Sequence, residues 1–578
     1  MRKRETLVVA AVALVVAVVT TWPLAAEMGS RVPHDPRFQP ATGADMHIWL
    51  WDYWWARQVV ERGVDPFQCD LIFHPWGHTL ALHTHGFLWG LLSVPLQWLG
   101  GLPFALNGTL LLQFALTAAA VWALARELGL GRAGAGLAAF AWTFSPYFVQ
   151  KGLEHVVLSA SPWPPLLVLF LLRWMNGSAR FGGDLRSTRL AALACGLVVG
   201  LALLTSLITL PYVLLLAALV AVVAPARDAD AVRGSRAGLG LPSAWLLAAV
   251  AALLVGLPWI VNLAEHWSAL SGAAGRSQLY HPRLVDFVTP SGLHPAFAGN
   301  GAAAPPAGAS YGGLRNEDSA LYVGLATLVL AGLALVREPR ARRWGLVALP
   351  LFLLAWDPGP DPEGWLSSLY RSASAFELLR VPARIAPFAL LPLALLAGFG
   401  FDRLVRGGAR GVALTAAGLL AFEFWTGPYP TMKFPRPEAA RAIALCEGDG
   451  AVASLPFAPG ANVAMSWQTV HGKPVLSSYV ARSDPEPFEN WRAIVPDLVR
   501  LALGESLAPP GVIALDLDAA DVDHVLVRAD SMNDPELLYD ILDEMEGWER
   551  AATTDGVEWW YATGRVPNAR EALEAVRD

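Results

Sequence analysis

The sequence predicts a mainly helical, polytopic membrane protein with a soluble α/β domain at its C-terminal end. Three observations carry this. Of the 578 residues, 54% are hydrophobic and only 16% are charged, against about 25% charged in an ordinary soluble domain, so the surplus apolar surface calls for a solvent other than water. Hydrophobic runs alternate with arginine-rich loops along the first three quarters of the chain. Beyond about residue 427 the pattern changes to short strands and helices, with no run long enough to cross a bilayer.

The runs are taken in order. The N-terminal MRKRETLVVAAVALVVAVVTTWPLAAEM has an apolar stretch of about 20 residues, Leu7–Ala26. That suits an uncleaved transmembrane helix better than a secretory h-region of about 7–15 residues. Further spans are expected at about 104–125, 133–150, 161–175, 189–206, 208–225, 243–262, 319–336, 344–356, 386–402 and 411–425, which makes about eleven. Six basic groups fall between or before them: Arg2/Lys3/Arg4; Arg126/Arg132; Arg173/Arg180/Arg186/Arg189; Arg227/Arg233/Arg236; Arg337/Arg340/Arg342/Arg343; and Arg403/Arg406/Arg410. Placing all six inside satisfies the positive-inside rule and gives N-in/C-out topology. The run FLWGLLSVPLQWLGG (86–100) is short for a span, and is expected to lie flat on the outer surface.

The membrane part is thus residues 1–426, with long outer loops at 27–103, 263–318 and 357–385. Residues 427–578 form the extracytoplasmic domain. In it VASLPF, KPVLSSY and DHVLVRA read as strands, and RAIALCE, VPDLVRLALG and DPELLYDILDEME as helices. It contains no P-loop, GxGxxG, HExxH or GxSxG. The net charge of −7 argues against a nucleic-acid partner. Three cysteines, Cys69, Cys195 and Cys446, are too few for a disulfide scaffold or a zinc ribbon. Cys69 and Cys446 read as lone thiols, with a bridge between them the alternative.

Candidate chemistry gathers in the outer loops. GADMHIWLWDYWWARQ (43–58) places Asp45 before Trp49, Trp51, Tyr53, Trp54 and Trp55, aromatics that belong at headgroup level. A carboxylate there can take the proton of an attacking hydroxyl; equally, it can cap the helix that follows. Asp52 reads as a partner of Arg57. The stretch LIFHPWGHTLALHTHG (71–86) adds His74, His78, His83 and His85 to His47. Of these, His83 is taken as a substrate-binding candidate, and divalent-metal binding is left as an alternative to interfacial hydrogen bonding. No other cofactor is expected. Lys151, Glu154 and His155 lie at the exit of the third span, as a functional cluster or as snorkelling side chains. Arg380 and Arg384, in FELLRVPARIAP, sit outside against the basic bias. They form a seat for a phosphate leaving group, or pair with Glu377 or lipid. The low-complexity GNGAAAPPAGAS (299–310) reads as a lid or a plain connector.

GADMHIWLWDYW, IFHPWGHTLALHT, ALARELGLGRAGAGLAAFAWTFSPY, LHPAFAG, LRVPARIAPFALLPLALLAGFG and HGKPVLSSYVAR, in that order, resemble the GT-C superfamily of integral membrane glycosyltransferases, in particular bacterial GT-C-like membrane proteins. The resemblance implies a GT-C-like core in a bacterial inner (cytoplasmic) membrane. It implies a polyprenyl-phosphate-linked sugar donor, and a lipid, glycan or protein acceptor on the outer face. It also implies an inverting transfer with the first-loop carboxylate, Asp45, as base. His155 matches a Gly-His pair of these proteins, while Glu154 replaces its glycine. The acidic pair that many GT-C enzymes carry in the second outer loop is absent. The alternatives are a lipid-linked saccharide transporter or flippase, which would need polar residues along a path through the spans, and a non-catalytic assembly protein for cell-envelope polysaccharide.

Overall fold

A computed structural model describes residues 2–36, 45–81, 83, 86–175, 185–223, 242–266, 282, 284–297, 320–356, 382–457, 461–480, 495–502, 508–529, 535–551 and 553–577. The chain divides into two compact units. The first comprises Met1–Met28, Phe104–Val261 and Ser271–Thr431; the second comprises Gly29–Pro103, Asn262–Leu270 and Met432–Asp578. The sequence reading kept loop 27–103 with the membrane half, whereas by packing residues 29–103 group with the C-terminal segment.

The first unit is helical. Among the described residues five helices are long and apolar enough to cross a membrane: Phe87–Glu127, Val156–Met175, Arg186–Thr205, Pro242–Glu265 and Ala383–Arg406. Leu210–Val223 and Leu325–Arg337 are apolar but shorter. The expected 86–100 run forms the start of the 41-residue helix Phe87–Glu127, which departs from helical geometry at Gly101 (φ 80°, ψ 179°). The expected third span is not one helix. Arg132–Thr143 stops, and Pro146–Glu154 starts afresh. Ser145 between them is extended (φ −57°, ψ 146°), as the Pro146 ring demands of the residue before it.

Helix Ala386–Arg406 is the hub, buried from Ala386 to Leu391 and again from Ala394 to Asp402. Small residues let its neighbours close in. A Cβ on Gly400 would lie 2.0 Å from the Leu330 carbonyl, and one on Gly134 would lie 2.4 Å from that of Gly398. Backbone approach of this kind drives helix association where no hydrophobic effect separates helix from lipid.

Two of these neighbours begin on a glycine, which has no capping side chain. Helix Arg132–Thr143 begins after Gly131 and Leu325–Arg337 after Gly324 (φ 85°). Each is capped by a distant acid instead. The Asp402 carboxylate accepts from the amides of Gly131 and of Gly134, the latter at 2.9 Å. Glu423 accepts from Leu325 N (3.1 Å), Ala326 N (3.2 Å) and Tyr322 OH (3.0 Å). Both acids lie near the ends of expected spans. Their task is to satisfy helix-start amides that would otherwise be buried without partners.

The second unit holds a four-stranded sheet: β1 (Ala451–Leu455), β2 (Val522–Arg528), β3 (Trp548–Ala551) and β4 (Val557–Ala562), in the order β1-β2-β4-β3. β1 and β2 are parallel, and the other pairs are antiparallel. Both parallel strands are buried along their whole length, as strands covered on both faces must be. On the other side of β1, Val475 makes a parallel bridge to Val452. Outside it, Leu71 and His74 bond the Val475 backbone at 2.9 and 3.1 Å. The expected strand KPVLSSY is thus reduced to a single bridge between β1 and the 71–74 segment. Two of the expected helices are observed as Pro496–Ala502 and Pro535–Asp543, while RAIALCE contributes only its first three residues to helix Glu438–Ile443.

Helix Met46–Arg62 packs on helix Ala461–His471. Trp51 donates its indole N–H to Gln468 Oε1 at 2.7 Å, and Gln468 Nε2 donates to Leu71 O at 2.6 Å. Trp51 and Trp55 stack with centroids 5.9 Å apart. The expected interfacial belt is corrected here: Trp49, Trp51, Tyr53, Trp54 and Trp55 are all buried, and Trp51, Trp54 and Trp55 share one apolar core with the strands of the sheet. The large apolar area of tryptophan serves a core as well as an interface once its N–H finds an acceptor.

Candidate functional site

Each unit holds part of the expected set. In the first, helix Pro146–Glu154 is pinned from outside. The Tyr429 hydroxyl donates to Val149 O at 2.9 Å, and Ser291 Oγ, next to the LHPAFAG segment, donates to Gln150 Oε1 at 3.3 Å. Lys151 and Glu154, three residues apart on this helix, are fully buried, which corrects the snorkelling alternative. The Lys151 ammonium lies 5.7 Å from the Tyr147 ring centre. His155 ends the helix in a non-helical conformation (φ −128°, ψ 69°) and is half-buried. Charged groups at such depth are costly unless engaged, which marks this short helix as more than a connector.

Arg384 lies in the single helical turn Pro382–Ile385, directly before the hub helix, where the sequence expected it, and is half-buried. It lines a small, partly open recess together with Tyr147 and Phe148 of the short helix, Ser159 and Ser161 just after it, and Thr209. One wall is fixed by Trp142, whose indole donates to Pro387 O at 3.1 Å. The recess sets a guanidinium, a tyrosine and the Ser161 and Thr209 hydroxyls in a mostly apolar wall, while the Ser159 hydroxyl donates to Phe148 O at 2.9 Å. The sequence named Arg384. It missed Tyr147, Ser159 and Ser161, whose only signal was proximity to the broken third span, and Thr209, which had none. Arg380, His85, loop 299–310 and most of 357–385 lie outside the described residues.

In the second unit Asp45 stands at the start of helix Met46–Arg62 with αR backbone angles (φ −63°, ψ −18°), and its side chain makes no cap hydrogen bond. A capping aspartate has extended backbone and an acceptor bond to the first turn; neither holds here, so the cap alternative is not realised in its usual form. Asp45 is half-buried. Asp52 does not pair with Arg57, which bridges to Glu61 at 2.7 Å along its own helix. Asp52 instead faces inward, its Oδ1 3.1 Å from His83 Nε2, both side chains out of solvent. His83 also sets its ring edge toward Trp51, with centroids 6.1 Å apart. The Asp52–His83 pair was not legible because a 31-residue separation carries no periodicity. Cys69 and Cys446 are buried free thiols. Among the described residues no three His, Cys, Asp or Glu side chains gather to hold a metal.

No protein-family model matches the chain, and no curated protein matches it. Solved structures do. Over 97% of its length the chain is similar to the arabinofuranosyltransferase AftD from Mycobacteria, with 17% identity and a TM-score of 0.52. It spans 40% of that protein's length. Weaker likenesses extend to ArnT from Cupriavidus metallidurans (14% identity, 96% of this chain and 98% of that one, TM-score 0.48) and to the oligosaccharyltransferase AglB from Archaeoglobus fulgidus (12% identity, 97% and 74%, TM-score 0.45). With its apolar helices and its similarity to AftD, the chain has a GT-C-like fold.

Proposed function

We propose that the chain is a membrane glycosyltransferase that moves a sugar from a polyprenyl-phosphate donor to an acceptor hydroxyl on the outer face of a bacterial inner membrane. In this reading about eleven spans run N-in/C-out, with residues 427–578 extracytoplasmic. The acceptor is a lipid, a glycan or a protein. The acceptor oxygen attacks the anomeric carbon with inversion, and Asp45 takes its proton. The bond from the anomeric carbon to the phosphate oxygen breaks, and the polyprenyl phosphate leaves with its charge held by Arg380 and Arg384. His155, with Glu154 and Lys151, orients the sugar or the phosphate.

The observation that carries the reading is the pocket where Arg384 meets the 147–161 segment, in a chain with the fold of a sugar transferase. Two further observations support it. Asp45 stands at the start of helix Met46–Arg62 with αR backbone angles. Asp402 and Glu423 are engaged in capping helices, whereas a transporter calls for polar residues along a path through the spans. The test is transfer of labelled sugar from a polyprenyl-phosphate donor by the full chain in proteoliposomes. Asp45→Asn is expected to lower the rate about 10²–10⁴-fold with folding intact, the usual loss on removing a general base. Arg384→Ala is expected to lower it as well. Full activity in both variants would reject the assignment, and saccharide flux without transfer would favour the flippase.

A further inference from the structure

Helix Pro146–Glu154 carries Tyr147 and Phe148 of the recess on its first turn, and Lys151 and Glu154 on its last. Its nine residues are too few to hold a helix by themselves, so its place is set by what packs on it. Two contacts meet on one side. The Tyr429 hydroxyl donates to Val149 O at 2.9 Å, and the same oxygen lies 2.7 Å from where a Cβ on Gly152 would stand. Leu110, on helix Phe87–Glu127, closes the space with its Cδ1 3.3 Å from that point. Gly152 lies inside the helix, where alanine is ordinarily the better residue. The glycine leaves a notch, and the phenol oxygen fills it. The phenol also has a firm base. Tyr429 is 2% exposed, and its amide donates to Trp22 O at 2.8 Å. Thr426 Oγ1 donates to Thr20 O at 2.7 Å, so the stretch 426–429 is tied to the end of helix Arg2–Thr20.

We propose that Tyr429 and Gly152 are positioning residues of the recess: the phenol seated in the glycine notch sets the place of helix Pro146–Glu154, and so holds Tyr147 and Phe148 against the ligand that Arg384 binds. Neither Tyr429 nor Gly152 lines the recess; both act through the helix, where a small misplacement is enough to weaken a bound group. The proposal rests on the reading that the recess receives the phosphate of a prenyl-phosphate donor.

The test is calorimetric titration of the full chain in detergent with farnesyl phosphate, alongside sugar transfer in proteoliposomes. Tyr429→Phe keeps the ring and removes only the oxygen. It is expected to weaken farnesyl phosphate binding about tenfold and to raise the donor KM, with kcat within about twofold of wild type. Gly152→Ala drives a methyl against the phenol oxygen and gives a similar or larger loss. The double variant is no worse than Gly152→Ala alone, because without the hydroxyl the methyl fits; independent faults would add. A brace that only stabilises the fold would lower melting temperatures and leave binding and KM of the folded protein unchanged. Binding that Arg384→Ala weakens and Tyr429→Phe does not, or additive losses in the double variant, would overturn the positioning role and spare the transfer reading. No binding by wild type, or binding that Arg384→Ala leaves unchanged, would overturn both.

Discussion

Glu423 offers the sharpest test of how the helical unit is held together. Helix Leu325–Arg337 starts at Gly324, which cannot cap itself. Its first-turn amides at Leu325 and Ala326 are satisfied by Glu423, as is the Tyr322 hydroxyl, at 3.0–3.2 Å. Glu423→Ala strands three donors in a place where the acid itself is only 6% exposed. Losing a helix cap costs about 0.5–2 kcal/mol, and a further buried donor left unsatisfied costs about 1–3 kcal/mol. Relief of the carboxylate's own desolvation offsets part of this, so a net loss of about 2–4 kcal/mol follows. Glu423→Gln keeps one acceptor but turns an amide N–H toward donors, and should lose roughly half as much. At about 2 °C per kcal/mol in a unit of this size, the alanine variant melts about 4–8 °C lower, read by tryptophan fluorescence in detergent. Below its melting point, sugar transfer per folded molecule stays at the wild-type level. An unchanged melting temperature in both variants, or a glutamine variant with full stability and no activity, would show that the charge works on substrate rather than on the helix start.

The hub helix tolerates no side chain at Gly400. A Cβ there meets the Leu330 carbonyl at 2.0 Å, so Gly400→Val costs about 1–3 kcal/mol or more and loses the monodisperse peak in size-exclusion chromatography; normal elution and melting would contradict the packing. Burial pushes the thiols of Cys69 and Cys446 up to about 12 and about 11, so iodoacetamide at pH 8 should label neither until the chain is denatured. Rapid labelling of the folded chain refutes that. In the second unit, burial and then the Lys473 charge push His471 down to about 3, and burial holds His524 well below its ordinary value. A histidine that stays neutral when folded but protonates when unfolded contributes stability that is full above about pH 6.5. That stability falls by about 1.4 kcal/mol per pH unit per histidine as the pH drops toward the folded value. Melts between pH 7.5 and 4.5 should show this slope, and the His471→Asn, His524→Asn double variant should flatten it; an unchanged slope in that variant would refute the assignment.

What the sequence made legible was local. Apolar length placed a helix in each expected span, and Pro146 lay in plain view although its break of the third span was not inferred. The strands around Val452 and Val525 and the change of character near residue 427 came from alternation and composition. Arg384 before a helix start was visible because an outer arginine runs against the charge bias. Pairings between distant residues were not visible. The Trp51–Trp55 belt reads identically whether it faces lipid or a sheet, since only its partner, Gln468, distinguishes the two. Asp52 has Arg57 nearby along the helix, but its partner is His83, brought round by the first outer loop. Asp402 and Glu423 fall near the ends of expected spans, and nothing local marks the glycine-started helices they cap.

The sequence by itself therefore determined where the apolar helices fall, two of the four strands of the sheet and where basic charge falls. Backbone hydrogen bonding and burial of apolar side chains act over a few residues and leave a period in the chain. Only the tertiary structure decided which loop joins the C-terminal sheet, which acid caps which helix and which side chains share the Arg384 pocket. Those are contacts between residues tens to hundreds of positions apart, set by shape and by the need of each buried polar group for a partner, and no local pattern encodes them.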